Sequence, residues 1–340
     1  MVLSYYLLKP FYSLTWRVLN LFQKRRETLF YCHTPVDMEN WLPVQKYLKP
    51  LRVVTDKAST YKALKQSGIK VSRLPAFPKA VIMCRVASHK FPSRKVTKIG
   101  MTHGAYHFKR MTSAQNFRPF SLFLFTSQRD LAKAKNIGVK IGKVGGFPKL
   151  DPYLPVKHTA AEDLAHRKAR ILFTATYDQS GMSAIQQWLP HLPELTDYYD
   201  VYVSVHPWMS KVYIDALKAM PKVHYILGSP LPYLHKADLC VVDTSSIIAE
   251  CTALGKPLIS WILPDSPRMV PEITEILAKI SIRIKDFSEL RPAIEKILTE
   301  PGIFGSERAW ANAIFFDALD GKAGLRTAQA ITKLLPELKL

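Results

Sequence analysis

Leu239-Cys240-Val241-Val242-Asp243-Thr244-Ser245-Ser246-Ile247-Ile248-Ala249-Glu250 runs from an apolar stretch through a hydroxyl-rich turn into a helical pattern with no residue to spare. The apolar run reads as a strand buried on both faces, and the turn carries residue types that open helices. A helix start presents unsatisfied N–H groups and a positive dipole end. Thr244, Ser245 and Ser246 add hydroxyl donors, so the turn suits a phosphate. Simple capping of the helix by Asp243, Thr244 or Ser245 is the alternative, and both uses are compatible. Glu250, one to two turns into the helix, either accepts from ribose hydroxyls or faces solvent.

The same alternation extends outward. Apolar runs at 171–174, 201–205, 224–226 and 257–261 are separated by helical patterns at 182–188, 210–219 and 246–254. An earlier series has runs at 28–32, 51–55, 80–84 and 121–125, with helical stretches to residue 48 and across 61–66. Strands alternating with helices predict parallel sheets built from βαβ units. The 340 residues suit two domains at roughly 100 to 200 residues each. The expected architecture is α/β, two Rossmann-like domains whose parallel sheets face a cleft. The expected boundaries are 27–155 for an acceptor domain, a polar linker at 156–170, and 171–305 for a donor-nucleotide domain. Helices at 306–340 have the option of crossing back, and 1–26 stands apart.

The net charge of +21 is uneven: residues 1–160 hold 29 Lys or Arg against 6 Asp or Glu, and residues 161–340 hold 19 against 21. Such a field attracts nucleic acid, an anionic membrane surface or an acidic polymer; a solvated basic face without a partner is the plain alternative. Nucleic acid is disfavoured, because no zinc-ligand spacing, basic helix-turn-helix pattern or RNP-like strand is present. The four cysteines, Cys32, Cys84, Cys240 and Cys251, form no C-x-x-C pair and suggest buried thiols rather than a zinc site or a disulfide framework.

Residues 1–22 are rich in Leu, Tyr, Phe and Trp but are broken by Lys9, Pro10 and Arg17, with Lys24, Arg25 and Arg26 behind them. The stretch falls short of the ~20 apolar residues of a spanning helix, and its charge lies on the wrong side for a signal peptide. It predicts a helix in the membrane interface, with Trp16 and the tyrosines at headgroup depth; a core-packed first helix is the alternative.

Polar residues at strand ends are where an open parallel sheet gathers ligands. His206 ends the run 201–205, before Pro207 and Trp208. There it either binds donor phosphate or serves structure. His103-Gly104 closes an apolar stretch, His103 being suited to a general base and Gly104 to close approach of a substrate. His107, Lys109 and Arg110 offer positive charge to an acceptor, or form a solvated basic loop. The segment 145–151, Gly-Gly-Phe-Pro-Lys-Leu-Asp, reads as a rigid hinge without chemistry.

Taken in order, His103-Gly104, 146–151, Phe173-Thr174-Ala175-Thr176, His206-Pro207 and Asp243-Thr244-Ser245-Ser246 resemble the CDP-glycerol glycerophosphotransferase family of teichoic acid and capsule synthesis. Asp320-Gly321 with Arg326 is similar to its closing motif. The resemblance implies a transferase of the glycosyltransferase B type, peripheral to the cytoplasmic face of the cell membrane. The donor it implies is CDP-glycerol or a similar nucleotide-diphosphate-linked alditol, and the acceptor a lipid-linked or polymeric glycan. His103 corresponds to the base, His206 to the donor-pyrophosphate histidine, and Ser245 and Ser246 to donor-phosphate hydroxyls; Thr174 and Thr176 lie in the turn facing the same donor. The chain departs from the family at Phe108, Ser204 and Asp178, where basic residues are usual. No metal site or cofactor is firmly implied, and a divalent cation stays open. A nucleotide-sugar glycosyltransferase, a nucleotide-sugar epimerase and a non-catalytic protein that binds polyanions or membranes are the other readings.

Overall fold

The computed structural model describes residues 3–22, 27–104, 113–156, 164, 166–264, 271–300 and 302–340. The chain divides into two compact units, one built from the N-terminal part through Pro152 together with Phe316–Leu340, the other from Tyr153–Phe315.

The first unit holds a seven-stranded parallel sheet of β1 (Thr28–Tyr31), β2 (Arg52–Thr55), β3 (Val71–Arg73), β4 (Ala80–Met83), β5 (Thr97–Met101), β6 (Leu122–Phe125) and β7 (Gly142–Val144), in the order β3-β2-β1-β4-β5-β6-β7. Successive residues of a strand point to opposite faces, and here both faces are covered. Phe30, Ile82, Ile99 and Leu124 pack with Met38, Trp41 and Val44 of helix α2 (Val36–Gln45), whereas Leu29, Tyr31, Val81 and Phe123 pack with Trp16, Phe91 and Phe117. Two-sided burial is why these strands are unbroken apolar runs rather than alternating ones. Gly100 belongs to β5 for a steric reason: a Cβ there would lie 2.3 Å from the Phe123 ring.

The C-terminal helix Ala323–Leu334 is part of this first unit and packs through Ala328 and Ile331. Gly324 permits the approach, since a Cβ would come within 2.5 Å of the Pro43 carbonyl oxygen of α2. The segment 145–151 secures the helix. Asp151 accepts from the Ala323 and Gly324 N–H groups at 3.1 and 2.6 Å, Thr327 donates to the Gly145 carbonyl at 3.2 Å, and Lys149 pairs with Glu39 at 3.3 Å. Asp320 and Arg326 form a two-point ion pair at 2.9 and 2.7 Å beside it.

Helix α1 (Leu3–Phe22) is seated by Trp16, whose indole donates to the Pro78 carbonyl at 2.9 Å, and by Tyr12, whose hydroxyl donates to the Ala76 carbonyl at 2.7 Å. Trp16, expected at headgroup depth, is therefore buried against the domain. Phe11, Leu14, Val18, Leu21 and Phe22 face outward, Leu21 and Phe22 being 81% and 80% exposed. Among the described residues no helix is long and apolar enough to cross a membrane.

The second unit holds a six-stranded parallel sheet of β8 (Arg170–Ala175), β9 (Asp200–Val205), β10 (Val223–Tyr225), β11 (Leu239–Val242), β12 (Leu258–Trp261) and β13 (Ser281–Ile284), ordered β10-β9-β8-β11-β12-β13. Ile171, Phe173, Val201, Val203 and Val241 pack with Trp188, Leu192, Leu217 and Ile294 on one face. In each sheet the strand order reverses once, between β1 and β4 and between β8 and β11. Connections leave such adjacent strands in opposite directions, so their carboxyl ends open a crevice where ligands bind.

Candidate functional site

At the reversal in the second unit stand Thr176, after β8, and Asp243, after β11. The Thr176 N–H donates to Asp243 Oδ2 at 2.6 Å and its hydroxyl to Oδ1 at 2.8 Å, while the Ser245 N–H reaches Oδ1 at 3.0 Å. Asp243 is fully buried. Burial pushes its carboxyl up to about 7, against the hydrogen bonds from Thr176 and Ser245.

The turn that follows is largely self-satisfied. Ser245 Oγ accepts from the Ile247 N–H at 3.3 Å, and the Ser245 and Ser246 carbonyls accept from Ile248 and Ala249, both at 3.2 Å. The helix Ile247–Ala253 that it opens has only seven residues. The N-cap residue, Ser246, makes no side-chain cap; Ser245, one residue earlier, takes up the first helix N–H, and Asp243 holds only the turn ahead of the helix. Ser246 is exposed and Thr244 buried, with a long contact of 3.5 Å from its hydroxyl to the Met182 carbonyl. Glu250 is buried rather than facing solvent. Thr174 is buried within β8, and its hydroxyl has no hydrogen-bond partner among the described residues.

His206 follows β9, its N–H donating to the Ala175 carbonyl at 2.9 Å. Its Nδ1 accepts from the Trp208 N–H at 3.1 Å, which assigns the neutral ring's proton to Nε2. The ring lies 5.1 Å from that of Tyr177 and 5.3 Å from that of Trp208, and Trp208 is 69% exposed. This aromatic group at the carboxyl ends of β8 and β9 was missed in the sequence. Its only trace there was an exposed-type Trp directly after His-Pro, and the pairing with Tyr177 needs the β8–β9 register. Asp178, at a position where the resembled family is basic, accepts from the Ser210 N–H at 2.9 Å and hydroxyl at 2.6 Å, tying the end of β8 to the start of the helix Lys211–Ala219.

In the first unit His103 follows β5 and is exposed. Thr102 and Thr126 share a hydroxyl hydrogen bond of 2.7 Å, and Thr126 donates to the Gly104 carbonyl at 3.2 Å, so the turn carrying His103 is anchored to the end of β6. Among the described residues, a Cβ at Gly104 would meet nothing within 4 Å. His107, Lys109 and Arg110 lie outside the described residues. The four cysteines are buried and free, and among the described residues no group of three His, Cys, Asp or Glu is placed to hold a metal ion.

No protein-family model matches the sequence, and no curated protein matches it. Solved structures match by shape. A variant of the wall teichoic acid polymerase TagF aligns with a TM-score of 0.66 at 12% identity, covering 99% of this chain and 99% of that one. The UDP-GlcNAc 2-epimerase of Methanocaldococcus jannaschii, solved with UDP-GlcNAc and UDP, aligns at 0.58 and 16% identity over 90% of this chain and 99% of that one. CalG4, the calicheamicin glycosyltransferase, aligns at 0.52 and 10% identity over 92% and 99%. With the two parallel sheets, these likenesses define a fold of the glycosyltransferase B type.

Proposed function

We propose that the protein is a membrane-peripheral transferase that moves an alditol phosphate, of the glycerophosphate kind, from a CDP-linked donor to a lipid-linked or polymeric glycan acceptor. The observation that carries this reading is the turn of Ser245 and Ser246 at the strand-order reversal of the second sheet, held by the Asp243–Thr176 clasp, with His206 at the end of β9, the neighbour of β8 on its other side. A hydroxyl-bearing turn and an Nε2–H donor at the carboxyl ends of one sheet present several neutral donors to a pyrophosphate, and phosphoryl transfer is chiefly positioning plus electrostatics. The likeness in shape to a teichoic acid polymerase supports the same class of substrate.

In the step proposed, an acceptor hydroxyl oxygen bonds to the distal phosphorus of the donor. The bond from that phosphorus to the bridging oxygen breaks, and CMP leaves with that oxygen. His103 takes the hydroxyl proton, while His206 and the serine hydroxyls stabilise charge on the phosphates. The outward apolar face of α1 holds the enzyme at the cytoplasmic surface of an anionic membrane.

A second reading, a nucleotide-sugar enzyme, is favoured by the likeness to an epimerase solved with UDP-GlcNAc and UDP. One experiment separates them. Ligand bound only to the native state raises the melting temperature, so a panel of CDP-, UDP- and CMP-linked donors is scanned for thermal stabilisation and for the nucleotide released with acceptor present. Stabilisation by CDP-glycerol and release of CMP are expected; stabilisation by UDP-sugars alone with UDP release overturns the first reading.

A further inference from the structure

A second set of polar side chains lies at the strand-order reversal of the first unit, and the transfer step above does not use it. Tyr31 ends β1, His33 lies two residues on, Asp56 follows β2 and Arg85 follows β4. The Tyr31 hydroxyl donates to Asp56 Oδ1 at 2.6 Å and stands 3.1 Å from His33 Nδ1. A phenol has one proton, and Asp56 receives it. The Tyr31 oxygen therefore accepts from an Nδ1–H, which leaves the imidazole lone pair on Nε2. Lys90 closes on Asp56 Oδ2 at 2.6 Å. Burial works to raise the Asp56 carboxyl, and the hydrogen bonds from Lys90 and Tyr31 outweigh it, holding it down to about 2. Burial, then Lys57 and Arg85, lower the His33 pKa below its ordinary value, so the ring is neutral at pH 7.

The turn itself is fixed from several sides. The His33 and Thr34 N–H groups donate to Asp37 Oδ2 at 2.8 and 3.1 Å, Thr60 donates to the His33 carbonyl at 2.9 Å, and Arg85 bonds Asp37 Oδ1 at 3.1 Å and Thr34 Oγ1 at 2.9 Å. Both carboxylates are thus turned to partners within the cluster. Outward it offers a neutral Nε2 acceptor on a side chain 29% exposed, the exposed Lys57, and the unbonded Nη1 of Arg85. None of these three has a partner among the described residues. One acceptor flanked by two cations complements a molecule that carries a hydroxyl next to a negative group.

We propose that His33, Lys57 and Arg85 form an acceptor subsite for a polyol monophosphate, with Nε2 accepting from a hydroxyl and the two cations receiving the phosphate. Tyr31 and Asp56 are positioning residues that set the His33 tautomer. The proposal rests on the transferase reading only in calling the ligand an acceptor. In the sheet β4 separates β1 from β5, the strand before His103, so the subsite lies about 10 Å to one side of that residue at ordinary strand spacing. It therefore holds a unit of acceptor neighbouring the reacting hydroxyl.

The test is nitrogen NMR of the full chain carrying 15N-histidine, with the His33 signals assigned by their loss in His33→Gln, and with no nucleotide present. The free protein is expected to show a protonated Nδ1 and an unprotonated Nε2. Glycerol 3-phosphate is expected to shift Nε2 saturably, with a Kd weakened about tenfold or more in Lys57→Ala, the loss of one charge-assisted contact. Glycerol alone is expected to leave the signal in place. Absence of a shift with glycerol 3-phosphate, or an unchanged Kd in Lys57→Ala, overturns the subsite. A full Nε2 shift from inorganic phosphate overturns the assignment of His33 to a hydroxyl. CMP release from a CDP-linked donor with a silent His33 sinks only this subsite, whereas a responsive His33 with no transfer from any donor sinks only the transferase reading.

Discussion

Thr176 and Asp243 are separated by 67 residues, yet Thr176 gives both its N–H and its hydroxyl to the one Asp243 carboxylate, at 2.6 and 2.8 Å. The pair locks the ends of β8 and β11 where the strand order reverses. Asp243→Ala leaves the Thr176 N–H and hydroxyl without their buried partner, and is expected to lower the unfolding free energy by about 2–4 kcal/mol in a urea titration. An unchanged midpoint would show that the clasp does not hold the turn.

Ser245 and Ser246 are expected to separate. Ser245 caps the Ile247 N–H, so Ser245→Ala costs stability, about 1 kcal/mol. Ser246 is exposed, so Ser246→Ala leaves the melting temperature unchanged and weakens donor binding. Equal effects on stability for both would contradict the division of labour.

His103→Ala and His206→Ala are each expected to lower turnover at least about a hundredfold with the fold intact. In the proposed step His206 donates through Nε2–H, so His206→Gln, which keeps an N–H donor, is expected to retain more activity than the alanine variant. Near-normal turnover in either alanine variant removes that residue from the mechanism.

The two faces of α1 predict two phenotypes. Replacing Phe11, Leu14, Leu21 and Phe22 by serine is expected to abolish sedimentation with anionic lipid vesicles while leaving thermal unfolding unchanged. Trp16→Ala empties a buried site and removes the donor to Pro78, costing about 3–5 kcal/mol. Vesicle binding that survives the serine variant overturns the membrane role of this face.

Asp130 is buried in the helix Gln128–Asn136, and neither of its carboxylate oxygens has a hydrogen-bond partner among the described residues. Burial pushes its pKa from 3.8 to about 7, offset only in part by Lys133 and Arg129. Between those values the folded state keeps a proton that the unfolded chain releases, so stability falls as pH rises from about 4 to about 7 and levels off above. Asp243 is shifted the same way, so the comparison is between wild type and Asp130→Asn. The variant is expected to be more stable at pH 8 and to show a shallower slope across that window in denaturant titrations. A variant no more stable at pH 8 refutes the assignment.

Much of the α/β architecture was legible because both sheets are covered on both faces. Runs such as 28–32, 80–84 and 239–242 are unbroken and apolar for that reason, and the helical patterns between them supply the covering layers. The strands that escaped notice are short or mixed. β3 (Val-Ser-Arg) lies at a sheet edge, as do β7 (Gly-Lys-Val) and β13 (Ser-Ile-Arg-Ile), and an edge strand need not be apolar throughout.

Local spacing also marked the strand ends where His103, His206 and the Asp243–Ser246 turn stand, since a strand followed at once by polar turn residues is visible within a dozen positions. What those polar groups do was decided by tertiary structure. Asp243 answers Thr176, Asp56 answers Tyr31 and Lys90, Asp178 answers Ser210, and Asp151 caps a helix 172 residues further on. Each pairing depends on which strands become neighbours and in what register. That is why the hydroxyl-rich turn was evident in the sequence as a strand-to-helix loop, while its division into the Asp243 clasp, the bonded Ser245 and the exposed Ser246 was not. Burial of apolar runs is a property of each segment alone, but satisfaction of a buried polar group requires a partner that only the assembled sheet brings within 3 Å.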